Sequence, residues 1–216
     1  MPLFVLDTEI SFPPVCLAGP DGLLAMGGDL SKNRLIEAYK RGIFPWYEGD
    51  TILWWSPDPR FVLYPDEFRM SSRTQTLIRK SAFRFTINEA FPEVISACKT
   101  IKRPGQTGTW ITPEVEKAYT LLHRVGYAHS AEVWQDGQLA GGLYGIRIGK
   151  VFFGESMFSR VSQASKLAFT LYVQQLIKEE TELIDCQVYT PYLESFGARM
   201  IPRVEFIKEI QNLVSR

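Results

Sequence analysis

Asp185 and Gln187 stand two residues apart in the run Leu183-Ile184-Asp185-Cys186-Gln187-Val188, whose apolar members predict a strand over residues 183–189. A strand's period of two puts Leu183, Asp185 and Gln187 on one face and Ile184, Cys186 and Val188 on the other. A carboxylate and a carboxamide on one face can orient an incoming amine, one accepting its proton or charge and the other fixing its geometry. That combination suits aminolysis of an ester. A structural pair tying strand to loop would use the same residues. Glu155 opens a second polar cluster, Gly154-Glu155-Ser156-Met157-Phe158-Ser159. Glycine permits close backbone approach, so Glu155 is a candidate to recognise an ammonium or guanidinium group in a cleft; a carboxylate on a surface turn would look alike. Leu143, Phe152, Phe153, Met157 and Ile184 can line a pocket for an apolar side chain or simply fill the core. Cys186 reads as a small apolar residue on the face opposite Asp185. His123 and His129 have no Ser or Cys nucleophile in a recognisable arrangement, and Gly141-Gly142 lacks the Lys-Ser/Thr of a phosphate cradle. No covalent intermediate, metal or cofactor is expected.

These groups need elements to hold them. Residues 1–62 are rich in Pro, Gly and Trp around one helix, capped by Ser31 and closing at Gly42. Trp46, beside a turn, is the aromatic most expected to escape a small core. A basic run, Arg73, Arg79, Lys80 and Arg84, precedes the next acidic residue, and Lys99, Lys102 and Arg103 form another cluster. Such runs contact phosphates or face solvent on a helix. Phe83, Phe85 and Ile87 alternate as a strand, Pro92 opens a helix through Cys98, and Thr112 caps a helix carrying Val115, Ala118, Tyr119 and Leu122. Trp110, just before that cap, can stack on a base. His129 to Trp134, the Asp136-Gly137 turn and Gln138 to Ile148 read as a hairpin, followed after Gly149 by the strand Val151 to Gly154. Residues 162–177 predict a helix apolar on most faces, and Val204 to Val214 the last helix.

The composition bounds the remaining choices. A chain of 216 residues with 45% apolar residues can bury a core without metal or disulfide staples. Lys plus Arg equals Asp plus Glu at 24 each, so any nucleic-acid surface must be a local patch. Cys16, Cys98 and Cys186 are widely spaced, as in a reduced cytosol, and neither an export signal nor a membrane span is evident. A soluble, cytoplasmic protein is expected.

The segments Gly22-Leu23-Leu24-Ala25-Met26-Gly27-Gly28-Asp29-Leu30-Ser31, Gly42-Ile43-Phe44-Pro45-Trp46, Trp54-Trp55-Ser56-Pro57-Asp58-Pro59-Arg60, Gly108-Thr109-Trp110-Ile111, Gly154 to Ser159 and Ile184-Asp185-Cys186-Gln187 occur together and in order. In this the chain resembles the bacterial leucyl/phenylalanyl-tRNA-protein transferases along almost its whole length. The resemblance implies an α/β (α+β) fold, a small N-terminal domain (1–62) joined to an acetyltransferase-like mixed-sheet domain (63–216). It implies transfer of leucine or phenylalanine, less readily methionine, from aminoacyl-tRNA to the α-amine of proteins beginning with Arg or Lys, in the N-degron (N-end rule) degradation pathway. By the same resemblance Leu143, Phe152, Met157 and Ile184 hold the aminoacyl side chain. Tyr39, Trp46, Trp110 and Tyr119 match positions near the terminal adenosine and the aminoacyl group. Asp185 and Gln187 match the catalytic positions, Glu155 a polar position of the site, and Arg73, Arg79 and Lys80 the tRNA-contacting region. The chain departs from the pattern at Tyr192, where the family usually carries His, and at Phe196-Gly197-Ala198, where it carries Leu-Gly-Ala. The expected partners are leucyl- and phenylalanyl-tRNA and protein acceptors, with the chain a monomer. The rival readings are an acetyl-coenzyme A-dependent N-acetyltransferase and a non-catalytic RNA-binding adaptor. Against the first, Arg160-Val161-Ser162-Gln163-Ala164-Ser165 has no glycine to cradle a pyrophosphate.

Overall fold

The computed structural model describes residues 3–80, 83–101 and 109–215. The Lys80 side chain, Lys102, Arg103 and Gly108, all named above, lie outside the described residues. In chain order the elements are β1 (Phe4–Leu6), β2 (Leu23–Gly27), α1 (Lys32–Lys40), β3 (Phe44–Pro45), β4 (Leu53–Trp55), β5 (Arg60–Leu63), α2 (Ser72–Lys80) and β6 (Arg84–Ile87). There follow α3 (Phe91–Thr100), α4 (Pro113–Arg124), β7 (Ala128–Gln135), β8 (Gln138–Ile148), β9 (Val151–Ser159), α5 (Ala164–Lys178), β10 (Leu183–Gln187), α6 (Pro191–Glu194), β11 (Arg199–Ile201) and α7 (Arg203–Leu213).

The fold is mixed α/β, with two sheets among the described residues. A small N-terminal sheet has the order β1-β2-β4-β3, and a seven-stranded sheet the order β11-β5-β10-β9-β8-β7-β6. The residue-62 boundary falls inside β5, which pairs antiparallel with β10 and β11 of the larger sheet. Helices cover both faces of that sheet. A Cβ at Gly141 would meet Ala164 of α5, and one at the next residue, Gly142, would approach Val94 of α3, so these helices lie on opposite sides.

Local chemistry sets the element ends. The Ser31 hydroxyl accepts from the Arg34 N–H at 3.4 Å and starts α1; Thr112 does the same for Val115 at 3.3 Å and starts α4, with Pro113 in the first turn. Asp136 and Gly137 turn β7 into β8 with φ of 51° and 76°, the left-handed pair that a two-residue hairpin requires. Buried Leu167, Ala168, Phe169, Tyr172, Val173 and Leu176 place α5 in the interior.

Two irregularities prepare the site. In the β8–β9 ladder Tyr144 pairs with Ser156 and Gly145 with Gly154, leaving Glu155 as the extra residue of a bulge. In β10, Asp185 pairs with Val62 and Gln187 with Phe61, leaving Cys186 extra, and Gln187 takes a left-handed φ of 64°. A bulge re-aims the side chains around it. The strand expected to run to residue 189 ends at Gln187, and the even alternation expected there breaks at Cys186. β9 and β10 run parallel and pair only from Leu183↔Val151 to Asp185↔Phe153. β9 continues to Ser159 while β10 ends, so the sheet opens beside Gly154 and Glu155.

Gly145 allows the β9 bulge to press against β8: a Cβ there would overlap the Phe153 carbonyl oxygen and the Phe152 ring. Gly145→Ala is expected to destabilise the chain by about 1–3 kcal/mol, the usual cost of overpacking, read as a lower urea midpoint at unchanged slope. An unchanged midpoint would show that the two strands can part there without cost.

Candidate active site

The opening between β9 and β10 leads into a cavity of about 330 Å³. Leu143, Phe152, Met157, Phe169, Ile184, Tyr192 and Leu193 make its apolar wall, and Phe44, Trp46, Trp110, Glu155 and Gln187 also line it. Leu143, Phe152, Met157 and Ile184 are thus together, as the sequence suggested. Phe153 is not among the lining residues: alternation turns it to the other face, where its ring packs 5.2 Å from that of Tyr39. A Cβ at Gly154 would meet no atom nearer than 3.5 Å, so the fold itself has room for one. Glycine there keeps the pocket wall bare.

Glu155 lines the pocket half-buried, with three side chains bonded to its carboxyl. Its Oε1 accepts from the Tyr39 hydroxyl at 2.7 Å and from Gln187 Nε2 at 3.1 Å, and its Oε2 from the Tyr119 hydroxyl at 3.3 Å. The two phenol oxygens, on α1 and α4, are 2.5 Å apart. Burial pushes the Glu155 carboxyl up to about 7; the Tyr39 hydrogen bond opposes the rise, the Asp185 charge adds to it, and the bonds from Tyr119 and Gln187 oppose it. Burial, reinforced by the Glu155 charge, holds both phenols well above their ordinary value, so they remain donors.

Asp185 lines the cavity and has a partner that its spacing does not reveal. It is fully buried, and its carboxylate takes a two-pronged bond from Arg60: Nε to Oδ1 at 2.8 Å and Nη2 to Oδ2 at 2.7 Å. Oδ1 also accepts from the Gln187 backbone N–H at 2.9 Å. Asp185 and Gln187 both line the cavity, but the Asp185 carboxylate is already engaged by a cation, as a buried charge requires. Arg60 enters the sequence reading only as the end of the Trp54-to-Arg60 segment, with no partner assigned, although an arginine opening the apolar strand Phe61-Val62-Leu63 is itself a signal of a buried pair.

Trp46 is half exposed at the pocket, its ring 5.8 Å from that of Trp55, and Trp110 packs edge-on to Tyr119 at 6.2 Å. Tyr192 packs edge-on against Phe196 at 5.3 Å. Arg73 and Arg79 are exposed on α2 and do not line the pocket. Among the described residues no group of three or more His, Cys, Asp or Glu is placed to hold a metal ion, and no helix is long and apolar enough to cross a membrane.

An apolar cavity with a carboxyl and a carboxamide among its lining has the parts that acyl transfer uses: room for an apolar side chain and polar groups for a nucleophile and its proton. Residues 62–211 match the model of the leucyl/phenylalanyl-tRNA protein transferase family, and residues 28–58 that of its N-terminal domain. The leucyl/phenylalanyl-tRNA–protein transferase of Syntrophus aciditrophicus is 55% identical over 218 residues, covering 100% of this chain and 91% of the relative. That of Teredinibacter turnerae is 55% identical over 207 residues, covering 94% and 80%. Among solved structures, a GCN5-related N-acetyltransferase from Kribbella flavida is similar at 14% identity, TM-score 0.40, over 83% of this chain and 64% of the other, too distant to bear on activity. The chain belongs to the leucyl/phenylalanyl-tRNA–protein transferase family, and so among the aminoacyl-tRNA-dependent transferases.

Between the ordinary 4.5 of Glu155 and its folded value of about 7, the folded chain holds a proton that the unfolded chain has released. Stability therefore falls as pH rises through that window. Relative to Glu155→Gln, the wild type is expected to lose on the order of 3 kcal/mol between those limits and nothing further above them, measured by urea unfolding at successive pH values. A wild-type-to-variant difference that does not change with pH would refute the raised value.

Proposed function

We propose that the chain moves leucine or phenylalanine, and methionine less readily, from aminoacyl-tRNA to the α-amine of polypeptides beginning with Arg or Lys. The observation that carries this reading is the junction of the apolar cavity with the Glu155–Gln187 pair. The aminoacyl side chain enters among Leu143, Phe152, Met157 and Ile184, while Trp46 and Trp110 offer rings to the terminal adenine. Arg73, Arg79 and Lys80 supply charge for the tRNA backbone. We assign the acceptor's α-amine, rather than its basic side chain, to Glu155, because the other carboxylate of the cavity, Asp185, is already paired with Arg60. Such products would mark proteins for degradation in the cytoplasm, and the chain would act as a monomer.

The reaction needs no activation beyond the ester itself. The acceptor's deprotonated amine attacks the ester carbonyl, forming the C–N bond; the C–O bond to the ribose breaks, and the proton lost by nitrogen ends on the ribose oxygen. Gln187 gives its Nε2 to Glu155, which leaves its carbonyl oxygen to accept from the amine N–H. Glu155, raised to about 7, takes the amine's proton and returns it to the leaving oxygen. Asp185 acts through the backbone of Gln187 rather than on the amine.

Two features disfavour the rivals. At the start of α5 the Ser165 N–H donates to Ser159 Oγ at 3.2 Å and the Ala164 N–H to the Val161 carbonyl at 3.1 Å, so groups that would cradle a coenzyme A pyrophosphate are engaged. A non-catalytic adaptor would not require a carboxyl of raised proton affinity at Glu155 beside a cavity.

Radiolabelled leucyl-tRNA mixed with peptides beginning with Lys, Arg, Asp or Ala, without ATP, is expected to label the Lys and Arg peptides alone. Gln187→Ala is expected to slow single-turnover transfer about 10²–10³-fold at unchanged tRNA affinity. The wild-type rate should rise through a limb near pH 7 that Glu155→Gln lacks. No labelled peptide would reject the reading, and equal losses in rate and tRNA affinity would remove Gln187 from the chemistry.

A further inference from the structure

Arg60 lies between the two segments matched to the family, 28–58 and 62–211, and does not line the cavity. Its side chain is 1% exposed and bonds both oxygens of Asp185. Its guanidinium carbon lies 4.8 Å from the centre of the Phe44 ring, which lines the cavity, and 4.6 Å from that of Phe206 on α7. Such contacts hold a planar guanidinium in one orientation, and a lysine ammonium cannot reproduce the fork.

The chain of contacts beyond Asp185 is short. Asp185 Oδ1 accepts from the Gln187 N–H, Gln187 is held at φ 64°, and its carboxamide donates to Glu155 Oε1. A left-handed backbone at a glutamine is a strained state that persists only where its surroundings hold it. Here the group bonded to that backbone is the carboxylate that Arg60 orients.

We propose that Arg60 is a positioning residue for the transfer reaction: held by Phe44 and Phe206, it fixes Asp185 so that Asp185 locks the Gln187 backbone and aims the Gln187 carboxamide at Glu155. The C-terminal helix α7 thereby takes part in arranging a site that it does not line. The claim rests on the transfer reading for its kinetic consequence, but the geometric part stands without it.

The test uses the full chain with Arg60→Lys, which keeps the charge that Asp185 requires, and Phe206→Leu, which removes a ring and keeps an apolar group. Two quantities are measured: single-turnover transfer from leucyl-tRNA to a Lys peptide, with KM for both substrates, and hydrogen exchange at the Gln187 backbone N–H. Arg60→Lys is expected to slow transfer about 10²-fold with both KM values unchanged, as a small misplacement of a positioned group does. Exchange at Gln187 should speed up at least tenfold, roughly the weight of one hydrogen bond to a charged acceptor, while Leu183 and Ile184 keep wild-type protection. Phe206→Leu should shift both quantities the same way by about two- to thirtyfold, the range of a cation–π contact. A wild type that transfers nothing rejects the proposed function, while the exchange data still judge the geometry. Wild-type transfer and wild-type Gln187 exchange in both variants would overturn the inference, and so would a loss of protection spread evenly over β10, which marks a structural role alone.

Discussion

The architecture turns on keeping the Glu155 carboxylate ionisable inside protein. Removing a carboxylate from water costs several kcal/mol unless hydrogen bonds replace the water, and among the described residues its donors are uncharged: two phenols and a carboxamide. Those donors come from distant parts of the chain, Tyr39 on α1, Tyr119 on α4 and Gln187 at the end of β10. The small N-terminal sheet, the helices on the α3 face and the central strands must therefore all be in place before Glu155 can be charged at moderate cost. Neutral donors leave the carboxyl near the middle of the physiological range, whereas a fixed cation would hold it low.

A second carboxylate, this one fully buried, behaves in the opposite way. Asp185 has Arg60 as a bidentate partner and serves as a fixed anchor. Breaking such a pair by removing one member costs about 3–5 kcal/mol, because the remaining charge is stranded. Two carboxylates at one cavity thus differ through their partners: the one paired with a cation is fixed in place, and the one with neutral donors has its proton affinity raised by burial.

The helices and hairpins were largely legible, because their signals are local. Ser31 and Thr112 cap helices as expected, Asp136-Gly137 turns a hairpin, and residues 164–178 form the buried helix. The apolar residues Leu143, Phe152, Met157 and Ile184 also meet as suggested. What the sequence hid was the aim of the polar groups. Period-two reasoning assumes an unbroken strand, and both β9 and β10 bulge at the residues that matter, next to or on Glu155 and Cys186. The partner of Asp185 lies 125 residues earlier, a separation that no local pattern encodes. The short strands β1, β2 and β4 were hidden for a related reason, since a few residues among Gly and Pro carry too little periodicity to show.

The most direct test is a ¹³C NMR titration of the Glu155 carboxyl in the full chain, its resonance assigned by its loss in Glu155→Gln. A midpoint near pH 7 is expected, with the Tyr39 and Tyr119 rings still protonated at that pH. A midpoint at the ordinary 4.5 would mean that Glu155 is as well solvated as a surface carboxylate, and the account of it as the proton-exchanging group would fail.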